Sequence, residues 1–167
     1  MFDELTREDI AKMEAEIEHR KLVVRKEALE DVKEARAQGD LSENFEYKAA
    51  KQFKNQNESR IRYLEKMIKT AKIIESDNTD GVVGMNSSVD ILFVDDDSVE
   101  TYTIVTTVRG NSLKNLISKE SPLGSAIFGK KIGDRATVKV NDDISYDVII
   151  KDVHYDENAK DLDIRKF

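Results

Sequence analysis

The sequence predicts an α+β protein: an N-terminal antiparallel coiled-coil hairpin over residues 1–75, then a small antiparallel β-sheet domain with one short helix over residues 76–167. Three observations carry this. Apolar residues recur at helical spacing, with no proline, through two long charged runs on either side of Gly39. Past Glu75 the pattern turns to short β-branched and aromatic runs separated by Asp, Asn and Gly. The charge changes there too: residues 1–75 hold 16 Lys/Arg against 17 Asp/Glu, and residues 76–167 hold 11 against 17.

Thr6 followed by Asp9 fits a helix start, with acids in the first turn. From there Ile10, Met13, Ile17, Val24, Val32 and Ala35 share one helical face. His19 and Arg20 stand where the next apolar seam residue is due, and the plain reading is that they snorkel past a thin interface. Gly39 stops the helix by taking a left-handed backbone conformation. The second run is a heptad seam of Tyr47, Ala50, Lys54, Asn57, Ile61, Leu64, Ile68 and Ala71. Two such helices across a short connection pack antiparallel, about 45 Å long at 1.5 Å per residue.

The second helix is basic: Lys48, Lys51, Lys54, Arg60, Arg62, Lys66, Lys69 and Lys72 meet only Glu58 and Glu65 on it. Acids of the first helix are numerous enough to pair with them. Arg36, Lys48 and Lys51 nevertheless fall within about two turns of the hairpin tip, where a phosphate backbone would meet them.

In the second half, strand patterns cover Val82-Val83, Ser88–Val94, Thr101–Val105, Thr137–Val140 and Tyr146–Ile150. Asp95–Ser98 and Asn141–Asp143 read as hairpin turns; the aspartate run lacks the ligand spacing, glycine and final glutamate of a calcium loop. Ser121–Gly129 reads as a short helix starting at Pro122 and stopping at Gly129. No nucleophile–base pair is evident, and His154 has no obvious partner.

Composition excludes several classes. A net charge of −7 argues against a general duplex-DNA binder. The absence of cysteine removes disulfides, thiol chemistry and the usual zinc sites. Met1-Phe2-Asp3-Glu4 does not open a signal peptide, and no apolar run is long enough to span a bilayer, so a cytoplasmic protein is expected.

Between the two helices lies Gly39-Asp40-Leu41-Ser42-Glu43-Asn44-Phe45-Glu46-Tyr47. Asp40 and Glu43 at the head of a helix have the spacing of a capping box, and on spacing alone that is the stronger reading. As a magnesium site two carboxylates are incomplete, so the tip would be half a site completed by another protein.

The nonapeptide also resembles the Gre transcript-cleavage factor family (GreA/GreB), the GreA branch more than GreB. The resemblance runs through Glu34-Ala35-Arg36, Ala50, Glu58, Arg60-Ile61, Leu64-Glu65 and Ala71. It continues in Thr101-Tyr102, Ile104-Val105, Ile117-Ser118, Ser121-Pro122-Leu123-Gly124, Ala126, Gly129-Lys130 and Gly133-Asp134, to about Val153. It implies an FKBP-like C-terminal domain and a monomer that enters the secondary channel of bacterial RNA polymerase. There Asp40 and Glu43 would act on catalysis and as metal ligands, helping to hold a second Mg²⁺ that is shared with the polymerase and not bound tightly by the free protein. The polymerase would then cleave the nascent RNA 3′ end. The same resemblance puts Arg36 and Lys51 near the RNA and Ser121 and Pro122 on the polymerase. The alternatives are a Gre-like channel-binding modulator or inhibitor without cleavage and, from the FKBP-like likeness, a prolyl isomerase.

Four departures accompany the resemblance. Phe45, which with Ser42 and Asn44 flanks the acids, replaces a small residue; packing under the turn is the favoured expectation and stacking on a base the alternative. Asp9 stands where glycine is common. Val108-Arg109-Gly110-Asn111 lacks the acids usual in that loop. The residues from His154 onward extend past the familiar end, and Asp156–Lys160 is expected to fray.

Overall fold

The computed structural model describes residues 3–39, 44–75 and 81–165. The chain runs β1 (Glu4–Leu5), α1 (Arg7–His19), a π-helical turn (Arg20–Val24), α2 (Arg25–Ala37), α3 (Phe45–Thr70), β2 (Lys72–Ile73), β3 (Ser87–Phe93), β4 (Ser98–Ile104), β5 (Leu116–Ile117), α4 (Pro122–Ile127), β6 (Arg135–Lys139) and β7 (Ser145–Tyr155). Short 3₁₀ turns span Thr107–Arg109, Ser112–Lys114 and Glu157–Asp161. The α+β fold class holds. Residues 10–71 form the helical unit, while residues 3–9 belong by contact with 72–165. The reason is a parallel pairing of β1 with β2, Glu4 opposite Lys72 and Leu5 opposite Ile73, which buries Leu5 completely. The hairpin is therefore inserted between two paired strands, each too short to show an alternating pattern.

In the helical unit, Met13, Ala28 and Ala35 are buried from the first helical run and Ile61 and Leu64 from α3. The rest of the α3 seam (Tyr47, Ala50, Lys54, Ile68, Ala71) is half-buried, as the heptads require. The first run is not one regular helix. At Arg20–Val24 the Arg25 N–H reaches the Arg20 carbonyl, the wider i→i+5 closure of a π-turn. There the seam becomes polar. Arg20 Nη1 donates to Asn57 Oδ1 at 2.9 Å, and Asn57 Nδ2 donates to the Arg20 carbonyl at 3.4 Å. Arg60, only 3% exposed, donates to Glu16 at 2.8 and 3.3 Å. Arg20 therefore does not snorkel past the interface but is bonded across it; His19 is exposed. A polar layer of this kind fixes helix register, because any slip leaves charged groups buried without partners.

Glu16 gives that layer a pH signature. Burial pushes its carboxyl up, but the hydrogen bonds and charges of Arg60 and then Arg20 outweigh this and hold it below its ordinary 4.5. A depressed acid stabilises the folded state above its unfolded pKa and loses that contribution as pH falls through the folded value. Melting of the hairpin is thus expected to move to lower temperature as pH falls below the ordinary 4.5 and through the lowered folded value. Glu16→Gln should flatten that part of the profile, measured by helical circular dichroism.

The five-stranded sheet has the order β5-β4-β3-β7-β6. Its four longer strands are antiparallel as expected; β5 joins β4 in parallel, so the sheet is mixed. Val82 forms only an isolated bridge to Lys131, not a strand. A register shift between β3 and β7 at Asp90/Ile91 leaves Lys151 as an extra residue. It changes the parity of β7, so that Val148 and Ile150 and then Val153 face the core, together with Val89, Ile91, Ile104, Val138 and Ile127. The Asp95–Asp97 turn is closed locally: Asp96 Oδ1 accepts from the Ser98 backbone at 3.1 Å and from its hydroxyl at 2.6 Å.

Helix α4 covers the sheet, with Leu123, Gly124 and Ile127 buried. A Cβ at Gly124 would lie 1.9 Å from the Ser118 carbonyl oxygen. That contact is backbone, so it cannot swing away. Gly124→Ala is expected to cost about 3 kcal/mol, at the upper end of overpacking, in a denaturant titration.

The end of the chain does not fray as expected. Ala159 is 1% exposed, and the Arg165 N–H donates to the Val108 carbonyl at 2.7 Å. The anchor is Arg109, 2% exposed in its side chain, which donates to the Ala159 carbonyl at 2.9 Å and pairs through Nε with the fully buried Asp9. Asp9 also completes the predicted helix start, accepting from the Thr6 N–H at 2.9 Å while its own N–H donates to Thr6 Oγ1 at 3.2 Å.

Candidate functional site at the hairpin tip

Helix α2 ends with the Gln38 and Gly39 N–H groups donating back to Ala35 and Arg36, and Gly39 has φ +144°. Among the described residues nothing lies within 4 Å of where a Cβ would be, and the positive φ is what calls for glycine there. Helix α3 starts at Phe45 with Asn44 as its N-cap. Asn44 Oδ1 accepts from the Tyr47 N–H at 3.0 Å, while Nδ2 donates to the carbonyls of Ala35 and Gly39, both at 2.9 Å. One side chain therefore satisfies the start of α3 and the end of α2 together.

The N-cap of α3 is the residue directly before its first turn, Asn44. Asp40, Ser42 and Glu43, and with them the capping expectation for Asp40 and Glu43, lie outside the described residues. Asn44→Ala is expected to cost about 1–2 kcal/mol, the usual range for a cap. It should show as faster amide hydrogen exchange at Tyr47, with little change at Leu64.

Phe45 also departs from expectation. It is 76% exposed instead of packed under the turn. Side chains in a helix lean over the preceding turn, and at the first position there is none to lean on. Lys48 Nζ lies 5.7 Å from its ring centroid. Arg36 Nη2 donates to the Tyr47 hydroxyl at 3.0 Å, with the guanidinium carbon 5.3 Å from the ring centroid. Among the described residues the tip end of the hairpin thus carries two cation–aromatic pairs.

Lys48 and Lys51 are exposed, and among the described residues neither belongs to an ion pair. Cross-helix pairing is concentrated further from the tip: Glu16 with Arg60, Lys21 with Glu65 at 2.5 Å, and Arg25 with Glu58 at 2.7 and 2.9 Å. In two of the three the base is on the first helix. The acids of that helix therefore do not neutralise the first turns of α3.

Ser121 and Pro122 lie at the start of α4, far along the chain from the tip. Ser121 Oγ accepts from the Gly124 N–H at 3.1 Å and donates to the Ser118 carbonyl at 2.7 Å; Pro122 is the first helical residue and is exposed. Among the described residues no group of three or more His, Cys, Asp or Glu side chains could hold a metal ion, and no helix is long and apolar enough to cross a membrane.

Comparison with known proteins decides the family. The N-terminal domain of the GreA/GreB transcription elongation factors matches residues 4–73, and their C-terminal domain matches residues 78–155. The chain belongs to the GreA/GreB family of transcription elongation factors. Transcription elongation factor GreA of Mesoplasma florum is 42% identical over 153 residues, covering 90% of this chain and 96% of that protein. GreA of Bacillus subtilis is 42% identical over 135 residues, covering 81% and 86%. Among solved structures, GreA factor homolog 1 (Gfh1) of Thermus thermophilus is 24% identical, covers 92% of this chain and 99% of that one, and gives a TM-score of 0.42. In this GreA/GreB chain the family match stops at residue 155, so the docked segment 156–165 lies beyond it.

Proposed function

We propose that this factor enters the secondary channel of bacterial RNA polymerase with its hairpin tip leading and stimulates the polymerase's own cleavage of backtracked RNA. The reading is supported above all by Asn44. It ties the end of α2 to the start of α3 on either side of residues 40–43, and its own side chain caps α3. Mg²⁺ in such a site supplies charge stabilisation and lowers the pKa of a bound water. Two carboxylates are too few for a complete octahedral shell, so Asp40 and Glu43 would be a part of its ligand set, with the polymerase providing the rest. Their remaining oxygens can accept hydrogen bonds from the attacking water and so orient it. Arg36, Lys48 and Lys51 would hold backbone phosphates of the RNA 3′ segment. Pro122, with the turn capped by Ser121, would meet the channel rim. The protein would act as a cytoplasmic monomer and hold the metal only within the complex.

The experiment is cleavage of 3′-end RNA in stalled elongation complexes of the cognate polymerase. Stimulation that depends on Asp40 and Glu43 supports the proposal. Inhibited elongation without cleavage would replace it with the channel-binding modulator.

A further inference from the structure

We infer that Phe45 is a stacking platform for a nucleobase of the backtracked RNA, with Lys48 holding the adjoining phosphate. The inference rests on the proposed function and adds a contact to the RNA base.

Phe45 is the most exposed phenylalanine among the described residues, at 76%. Among the described residues the cap contacts at this turn are made by Asn44, not by Phe45. Its ring is met by the ammonium of Lys48, 5.7 Å from the centroid, and Lys48 has no carboxylate partner among the described residues. An aromatic face beside an unneutralised cation is the combination that binds single-stranded nucleic acid: the ring stacks on a base of any identity, and the cation meets the phosphate. Duplex binding is disfavoured by the chain's net charge of −7, whereas a short single strand needs only this local positive patch.

Position along the chain narrows the partner further. Phe45 is two residues from Glu43, which is at most about 7 Å of chain. A base held there belongs to a nucleotide next to the phosphate being cleaved. The opposite side of the helix start is occupied by the Arg36–Tyr47 pair, whose hydroxyl is already bonded, which leaves the Phe45 ring as the open surface.

The test compares wild type, Phe45→Ala and Phe45→Tyr on stalled complexes of the cognate polymerase, made with RNA whose 3′-terminal nucleotide is a purine, a pyrimidine or abasic. Phe45→Ala is expected to slow cleavage of base-bearing RNA about ten-fold, as loss of one stacked base would. It should leave the abasic RNA unchanged, and Phe45→Tyr should restore the wild-type rate. Equal loss on abasic and base-bearing RNA would mean a structural role and overturn the inference. So would no loss on either. If wild type itself stimulates no cleavage, the proposed function falls and takes this inference with it. If wild type stimulates cleavage and Phe45→Ala matches it, the proposed function stands and only the stacking platform is lost.

Discussion

The Asp40→Asn, Glu43→Gln variant is expected to compete with wild type for polymerase undiminished, yet to lose cleavage stimulation by about a hundredfold or more. The substitutions keep size and hydrogen-bonding reach but remove two negative charges. A neutral amide is a far poorer ligand for a divalent cation, and its NH₂ group cannot accept a hydrogen bond from water. Because both carboxylates would serve one ion and one water, their effects should not add: each single variant should lose nearly as much as the pair. A second readout separates metal from fold. Either single variant should need more Mg²⁺ for half-maximal cleavage, while the helical circular dichroism of the free protein stays unchanged. Full activity from the double variant would sink the proposed mechanism and leave the family assignment untouched.

The second large effect is on stability. Asp9→Asn is expected to cost about 3–5 kcal/mol, the usual penalty for removing one member of a buried ion pair. Arg109 would keep its charge at 2% side-chain exposure and lose the Asp9 carboxylate at Nε, and the asparagine could not serve both Arg109 and the Thr6 N–H. For a unit of about 100 residues this corresponds to a fall in Tm of 10 °C or more. Arg109→Met alone should cost a comparable amount, by stranding Asp9 and freeing the Ala159 carbonyl. The double variant Asp9→Asn, Arg109→Met should be much less destabilised than the sum, since neither charge is then buried without the other's neutralisation. Thermal unfolding of the four proteins closes the cycle. Strict additivity would show that the pair contributes no coupling energy. Loss of the docked 156–165 segment in the Arg109 variant should appear as protease cleavage after Tyr155.

This pair also shows where reading the sequence stops. Asp9 and Arg109 each stood out as a departure from the Gre pattern, 100 residues apart and unrelated. In the fold they are one interaction, which turns the Arg109 loop inward and gives the terminal segment a carbonyl site to dock on. The same is true of the π-turn. Arg20 looked like a polar residue forced into an apolar seam, and only the position of Asn57 on α3 shows that it is paired.

The sequence by itself determined the elements whose signal is periodic or local. The α3 heptads, the Thr6/Asp9 capping box, the Gly39 stop and the Pro122 helix start depend on neighbours within a turn or two, where spacing and side-chain chemistry suffice. The tertiary structure alone decided what depends on partners distant in the chain. It joined β1 to β2, assigned residues 3–9 to the sheet unit, paired Asp9 with Arg109 and left Phe45 in solvent. The physical reason is the same throughout. A buried charge or a two-residue strand has no preference of its own, and its energy is set by whichever group the rest of the chain brings against it.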